Sequence, residues 1–207
     1  QQYLYRTKLD GKGKAERVSP ANQNGTHDYD VSPTGKFAQH RFSNYYTPGA
    51  SEMVSLPDHS PIGDAKVNEA VAKADKSKSN VSFFKVTTSE GVEMDAWKVL
   101  PDNFDSTKKY PVLFYVYTEP WGQNVKDLYG VERSAPYQGN LAKDGYIYIS
   151  IDNRGTPVPK GRAWRKVVYR NIGIINIRDQ ALAAKEIFKW SYVDTSRIAV
   201  WGWSGGG

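Results

Sequence analysis

With 207 residues the chain can hold one full domain or two partial ones, since domains commonly run to about 100–150 residues. Hydrophobic residues at 39% and aromatics at 13% exclude a disordered tail, and no run of about 18 apolar residues is present to span a bilayer. The formal charge of +6 comes from dispersed cations rather than a basic stripe with stacking aromatics, which argues against nucleic acid as a partner, and the lack of cysteine excludes disulfides and thiolate metal sites.

The opening segment reads as short strands. Tyr3 to Leu9 alternates, turns at Asp10-Gly11-Lys12-Gly13, and returns over Ala15 to Ser19. Tyr29 to Ser32 leads through the turn Pro33-Thr34-Gly35-Lys36 into Phe37 to Phe42, and Glu52 to Leu56 adds a further strand. Isolated hairpins are marginal in water, so this segment is expected to be the end of a larger β structure. His27, His40 and His59 fall within it or in the linker and read as ordinary surface histidines. Pro57 to Gly63 has linker composition, which places a boundary near Gly63. Asp64 is then expected to cap a helix suggested by Ala65, Val67, Ala70, Val71 and Ala74.

Val81 to Thr88 and Val92 to Leu100 form a hairpin around Ser89-Glu90-Gly91. After Pro101 the pattern becomes that of an α/β sheet. Val112 to Tyr117, Tyr146 to Ile151 and Ile198 to Trp201 are nearly continuous apolar strands, expected to be covered on both faces. A helix from about Ile175 to Trp190 carries Ile177, Ala181, Ala184, Ile187 and Phe188 at helical spacing, a stripe expected to face the core.

Gly202-Trp203-Ser204-Gly205-Gly206 matches Gly-x-Ser-x-Gly directly after a strand, where an α/β-hydrolase places its nucleophile. The flanking glycines let a strained turn close and expose the hydroxyl. At ~7% glycine, the pattern arises by chance in about one chain in fifteen of this length, so its weight rests on the strand before it. Asp152 and Arg154 read as an ion pair or loop anchor, and Asp179 as an acceptor for backbone groups near its helix start. No cofactor or metal is called for, because the histidines and carboxylates lack ligand spacing.

Several motifs in order resemble the prolyl oligopeptidase family of serine peptidases, in its dipeptidyl peptidase IV group. They are Tyr110-Pro111 with the strand to Tyr117 and then Glu119-Pro120, the loop Asp152-Asn153-Arg154-Gly155-Thr156, Asp179-Gln180, and Val193-Asp194 through Arg197-Ile198-Ala199 into the Ser204 turn. The resemblance implies that residues 1–63 are the end of a β-propeller plus linker. Residues 64–207 would be the N-terminal part of an α/β-hydrolase domain. It further implies a serine peptidase releasing N-terminal dipeptides with penultimate Pro or Ala. Ser204 would be the nucleophile, with Tyr117 hydroxyl and Gly205 N–H as oxyanion donors. Peptide substrates, a homodimer and a periplasmic or extracellular location follow by the same resemblance.

In the family's order the triad Asp and His come after the serine, so the chain is expected to be a fragment with an exposed apolar sheet edge. Three positions depart from the pattern: Gly205 where the group often has tyrosine, Glu119 for a common glycine, and Asn176 for an acidic residue. Trp203 is expected to pack near the elbow. A carboxylesterase built on the same elbow, and a non-catalytic relative used as a binding module, remain open.

Overall fold

Strict alternation of side chains builds the first sheet. The computed structural model describes residues 1–134 and 137–207, divided into one unit of residues 1–79 with 126–131 and another of residues 80–125 with 132–207. In the first unit β1 (Tyr5–Arg6) and β2 (Glu16–Arg17) form a two-stranded ribbon. Next come β3 (Thr26–Val31), β4 (Phe37–Asn44), β5 (Thr47–Ser55) and β6 (Pro61–Ile62), an antiparallel sheet in that order. In β4 the residues Ala38, His40, Phe42 and Asn44 are buried while Phe37, Gln39 and Arg41 face out.

That alternation corrects the reading of the histidines. His27 and His40 take inward positions and are 1% and 0% exposed, and His59 at 9% closes over them. They are core residues, because a period of two puts them on the same face as Ala38 and Phe42.

Helix α1 (Lys66–Lys73) packs on β5 through the fully buried Val67. Its N-cap residue is Ala65 and Asp64 makes no cap; Glu52 Oε2 instead accepts the Val67 N–H at 3.0 Å. Glu52 lies on the buried face of β5 beneath the first helical turn, so the orphan donor finds an acceptor across the packing interface. Within the same unit, buried Asp127 accepts from Gln1 Nε2 (3.1 Å) and Tyr45 N–H (2.9 Å).

The second unit is mixed α/β. Its elements are β7 (Val81–Thr87), β8 (Glu93–Val99), β9 (Tyr110–Val116), β10 (Ile147–Ile151), α2 (Gly161–Lys166), α3 (Ile175–Ile187) and β11 (Val193–Gly202). The sheet order is β11-β9-β10-β8-β7, parallel from β11 through β9 to β10 and antiparallel beyond. Every residue of β10 is buried, as its unbroken Ile-Tyr-Ile-Ser-Ile run requires. The core joins Met94, Ala96, Val112, Phe114, Ile147, Ile149 and Ile151 to Ala183 and Ile187 of α3.

Two expectations are corrected here. Among the described residues the β11 segment Ile198 to Trp201 is not covered on both faces: the strand is the outermost of the sheet, and Val200 is 68% exposed. The apolar stripe of α3 also meets the core only in part, through Ile187. Asn176, Asp179, Ala183 and Ile187 point inward, whereas Ile177 is 64% exposed and Ala181 is exposed. Asn176 and Asp179 share the inward face and meet polar partners there, described below. Ala184 and Phe188 reach the core only at its margin.

Candidate active site

The parallel register sets Gly202 of β11 beside Val116 of β9. The residues that follow each strand, Trp203 to Gly206 and Tyr117 to Glu119, therefore emerge together at the carboxyl end of the sheet, where open α/β sheets place their ligands. Ser204 holds φ +53°, a left-handed conformation that costs a non-glycine residue free energy. A Cβ at Gly202 would collide with the Gly206 carbonyl, and one at Gly206 with the Val116 carbonyl. Both glycines are thus needed for the turn to close, as the motif implies.

The turn is fastened to the neighbouring strand end by a chain of hydrogen bonds. Thr118 N–H and Oγ1–H both donate to Gly205 O, at 3.3 and 2.6 Å. Asn176 Nδ2 donates to Thr118 Oγ1 at 2.8 Å, and Asn176 Oδ1 accepts from Gly173 N–H at 2.7 Å. Residue 176 must both give and take a hydrogen bond, which an amide can do and a carboxylate cannot. This is why asparagine serves where the family resemblance suggested an acid. Thr118 had no signal in the sequence, since a threonine after a strand is unremarkable without its partners.

Tyr117 is half-buried, and its ring lies so close to Gly122 that a Cβ there would overlap Cδ1 and Cε1. Glu119-Pro120-Trp121-Gly122 is a tight turn closed by Gly122 N–H to Glu119 O (3.0 Å), with proline at its favoured second position. Tyr117 O accepts from Asn124 Nδ2 at 3.0 Å, while Asn124 and Val125 N–H donate to the two oxygens of Asp152 at 2.8 and 3.1 Å. Asp152, 0% exposed, is thus the loop anchor behind the tyrosine.

Arg154 pairs with Asp179 rather than Asp152. Its guanidinium reaches both carboxylate oxygens, with Nη2 at 2.6 Å from Oδ1, and its backbone N–H donates to Oδ2 at 2.9 Å. Asp179 is fully buried, and its hydrogen bonds raise the Arg154 pKa further. The expectation that Asp179 serves its own helix start is therefore corrected: it sits in the second turn of α3 and faces the loop after β10. Gln180 completes the join, donating from Nε2 to Ile151 O (2.9 Å) and Asn153 Oδ1 (3.1 Å).

Three further placements matter. Trp203 is 72% exposed and does not pack on the elbow. Gly205 N–H donates no hydrogen bond among the described residues. A Cβ on Gly205 would strike Oε1, Cγ and Cδ of Glu119, whose side chain occupies the space a side chain at 205 would take. Beside them opens an apolar cavity of about 680 Å³, lined by Phe114, Val116, Ile177, Phe188 and Val200.

Residues 136–207 match the prolyl oligopeptidase family of peptidases. Among curated proteins, a probable dipeptidyl-aminopeptidase B of Botryotinia fuckeliana is 34% identical over 209 residues, spanning 99% of this chain and 22% of the relative. Its namesake from Arthroderma otae is 32% identical over the same shares. Among solved structures, the dipeptidyl peptidase 4 of Porphyromonas gingivalis superposes with a TM-score of 0.79 at 30% identity, covering 99% of this chain and 28% of that one. A putative dipeptidyl aminopeptidase IV from Bacteroides ovatus gives 0.74 at 25%, covering 95% and 28%. The chain therefore spans 22% of these curated relatives and 28% of these solved chains. Its motifs, its elbow geometry and these likenesses agree in making the chain similar to the prolyl oligopeptidase family, whose model it matches over residues 136–207.

Proposed function

We propose that this chain is part of a serine peptidase that releases dipeptides from the N terminus of peptides, with proline or alanine penultimate, through an acyl-enzyme on Ser204. The observation that carries the reading is the strained, exposed Ser204 at the end of β11, followed by a Gly205 N–H with no partner among the described residues. Relatives named as dipeptidyl-aminopeptidases support the reaction class.

In this reading Ser204 Oγ attacks the scissile carbonyl while a histidine takes its proton, and the carbonyl oxygen becomes an oxyanion. Gly205 N–H and Tyr117 hydroxyl donate to that oxygen. Collapse of the tetrahedral intermediate breaks the C–N bond as the histidine returns the proton to the leaving amine, and water then hydrolyses the ester. By the family's order the histidine and its aspartate follow the serine. The three histidines here all precede it and are engaged in the first unit. Residues 1–63 are read as the end of a β-propeller with its linker, and residues 64–207 as the N-terminal part of the hydrolase domain.

A carboxylesterase would use the same elbow. Turnover of an Xaa-Pro anilide against a short acyl ester, measured on the natural full-length product, separates the two. Peptide turnover abolished by Ser204→Ala supports the proposal; ester turnover without peptide turnover rejects it.

A further inference from the structure

The first unit buries a row of titratable groups that the proposed chemistry does not use. His27 Nε2 lies 2.9 Å from Gln23 O, His27 Nδ1 lies 2.9 Å from His40 Nε2, and His40 Nδ1 lies 3.3 Å from Glu52 Oε1. Glu52 Oε2 accepts the Val67 N–H of α1. The row crosses β3, β4 and β5, and the two imidazoles stack with centroids 5.1 Å apart at 10°.

Hydrogens can be counted along this row. Both ends are acceptors, a backbone carbonyl and a carboxylate, and three contacts lie between them. Each contact needs one hydrogen, yet two neutral imidazoles hold one each and a carboxylate holds none. Without a third hydrogen, two lone pairs must face each other in a buried site, which costs free energy comparable to an unsatisfied buried group. Tyr29 does not supply it: its hydroxyl has closer partners in His59 Nε2 (2.7 Å) and Ser19 Oγ (2.9 Å) than His27 Nδ1 at 3.4 Å.

We infer that Glu52, His40 and His27 form a clasp that holds one hydrogen more than a carboxylate and two neutral imidazoles supply, tying α1 and β5 to β3. The surroundings suit a shared hydrogen better than an added charge. Arg17 from β2 and His59 face the row and, with burial, disfavour further positive charge on His27. Burial, His59 and His27 hold His40 down to about 3. Burial lowers His59 against the opposing pull of Glu52 and Asp58, and burial holds the Tyr29 hydroxyl in its protonated form, up to about 12. Between them, these groups leave the contact of Glu52 with His40 as the place where an extra hydrogen leaves the row without net charge.

The clasp makes the unit sensitive to base. Well above pH 6.5 the unfolded chain holds two hydrogens on these groups, one on each neutral imidazole, while the clasp still holds three. Folding then takes up a proton and weakens by up to about tenfold per pH unit until the clasp releases it. Glu52→Gln removes this dependence. The amide N–H donates to His40 Nδ1 and the amide oxygen keeps the Val67 N–H, so the row is satisfied with no extra hydrogen.

The test has two arms on the same protein. Ring nitrogen and carboxyl carbon shifts of His27, His40 and Glu52 at pH 6.5 give the hydrogen count directly: a total of three is expected, and a total of two overturns the inference. Denaturant titrations from pH 7 to 9 are expected to show the native protein weakening and Glu52→Gln holding constant. Equal pH slopes in the two proteins overturn it, and if the variant does not fold the spectroscopic count alone decides.

Discussion

Both units bury polar groups, but they satisfy them in opposite ways. In the α/β unit the buried carboxylates meet N–H donors fixed by the fold: Asp152 takes two backbone amides, and Asp179 takes the guanidinium and backbone N–H of Arg154. In the strand-rich unit imidazole faces imidazole, and the nearest carboxylate comes from a neighbouring strand. The first arrangement uses partners whose charge does not change near neutral pH and holds two loops in place. The second uses groups that titrate there, so its integrity is tied to the proton concentration.

The largest expected break in this contrast comes from Asp179→Ala. It leaves the Arg154 guanidinium without its partner and cuts the loop after β10 from α3, so chemical denaturation should show a loss of about 3–5 kcal/mol. The histidine signals of the strand-rich unit should stay where they are.

Next is Tyr117→Phe, which keeps the ring against Gly122 but removes the proposed oxyanion donor. Turnover on the natural full-length product should fall by at least about 100-fold, corresponding to about 2.7–4 kcal/mol in the barrier, with the melting temperature unchanged.

A smaller effect is expected from Asn176→Asp. The carboxylate cannot donate to Thr118 Oγ1, so the threonine hydrogen turns toward it and Gly205 O loses its shorter bond. The cost should be about 1–3 kcal/mol, read as lower kcat with little change in KM.

Mild acid sharpens the contrast from the other side. Burial holds His27, His40 and His59 below the ordinary histidine range, His40 at about 3. Their unfolded forms take up protons below pH 6.5 while the folded forms do not. This contribution is therefore complete above 6.5 and is lost as pH falls from there, by about 1.4 kcal/mol per unit for each histidine that stays neutral, less one such share for the proton the clasp already holds. Together with the loss expected in base, this puts the strand-rich unit's maximum near pH 6.5, which a denaturation series from pH 4 to 9 would display.

The elements that a sequence displays locally were legible. The hairpin of β7 and β8, the buried run of β10 and the glycine-flanked Ser204 each depend on residues adjacent in the chain. What was not legible depends on partners distant in sequence. The inward face of α3 carries Asn176, which donates to Thr118, and Asp179, which accepts from Arg154, whereas Ile177 of the apolar stripe is exposed. The α1 donor is met by Glu52 rather than the adjacent Asp64, a choice made by sheet packing. His40 carried a usable signal, since it alternates with Ala38 and Phe42, but histidine's polarity masked it.

The central claim is that Ser204 is a nucleophile. Its most direct test is to treat the natural full-length product with a fluorophosphonate probe, digest it, and locate the adduct by mass spectrometry. A single adduct on Ser204, lost in Ser204→Ala and slowed in Tyr117→Phe, is the expected result. Folded protein that remains unlabelled at Ser204, or labelled at another serine, would contradict it.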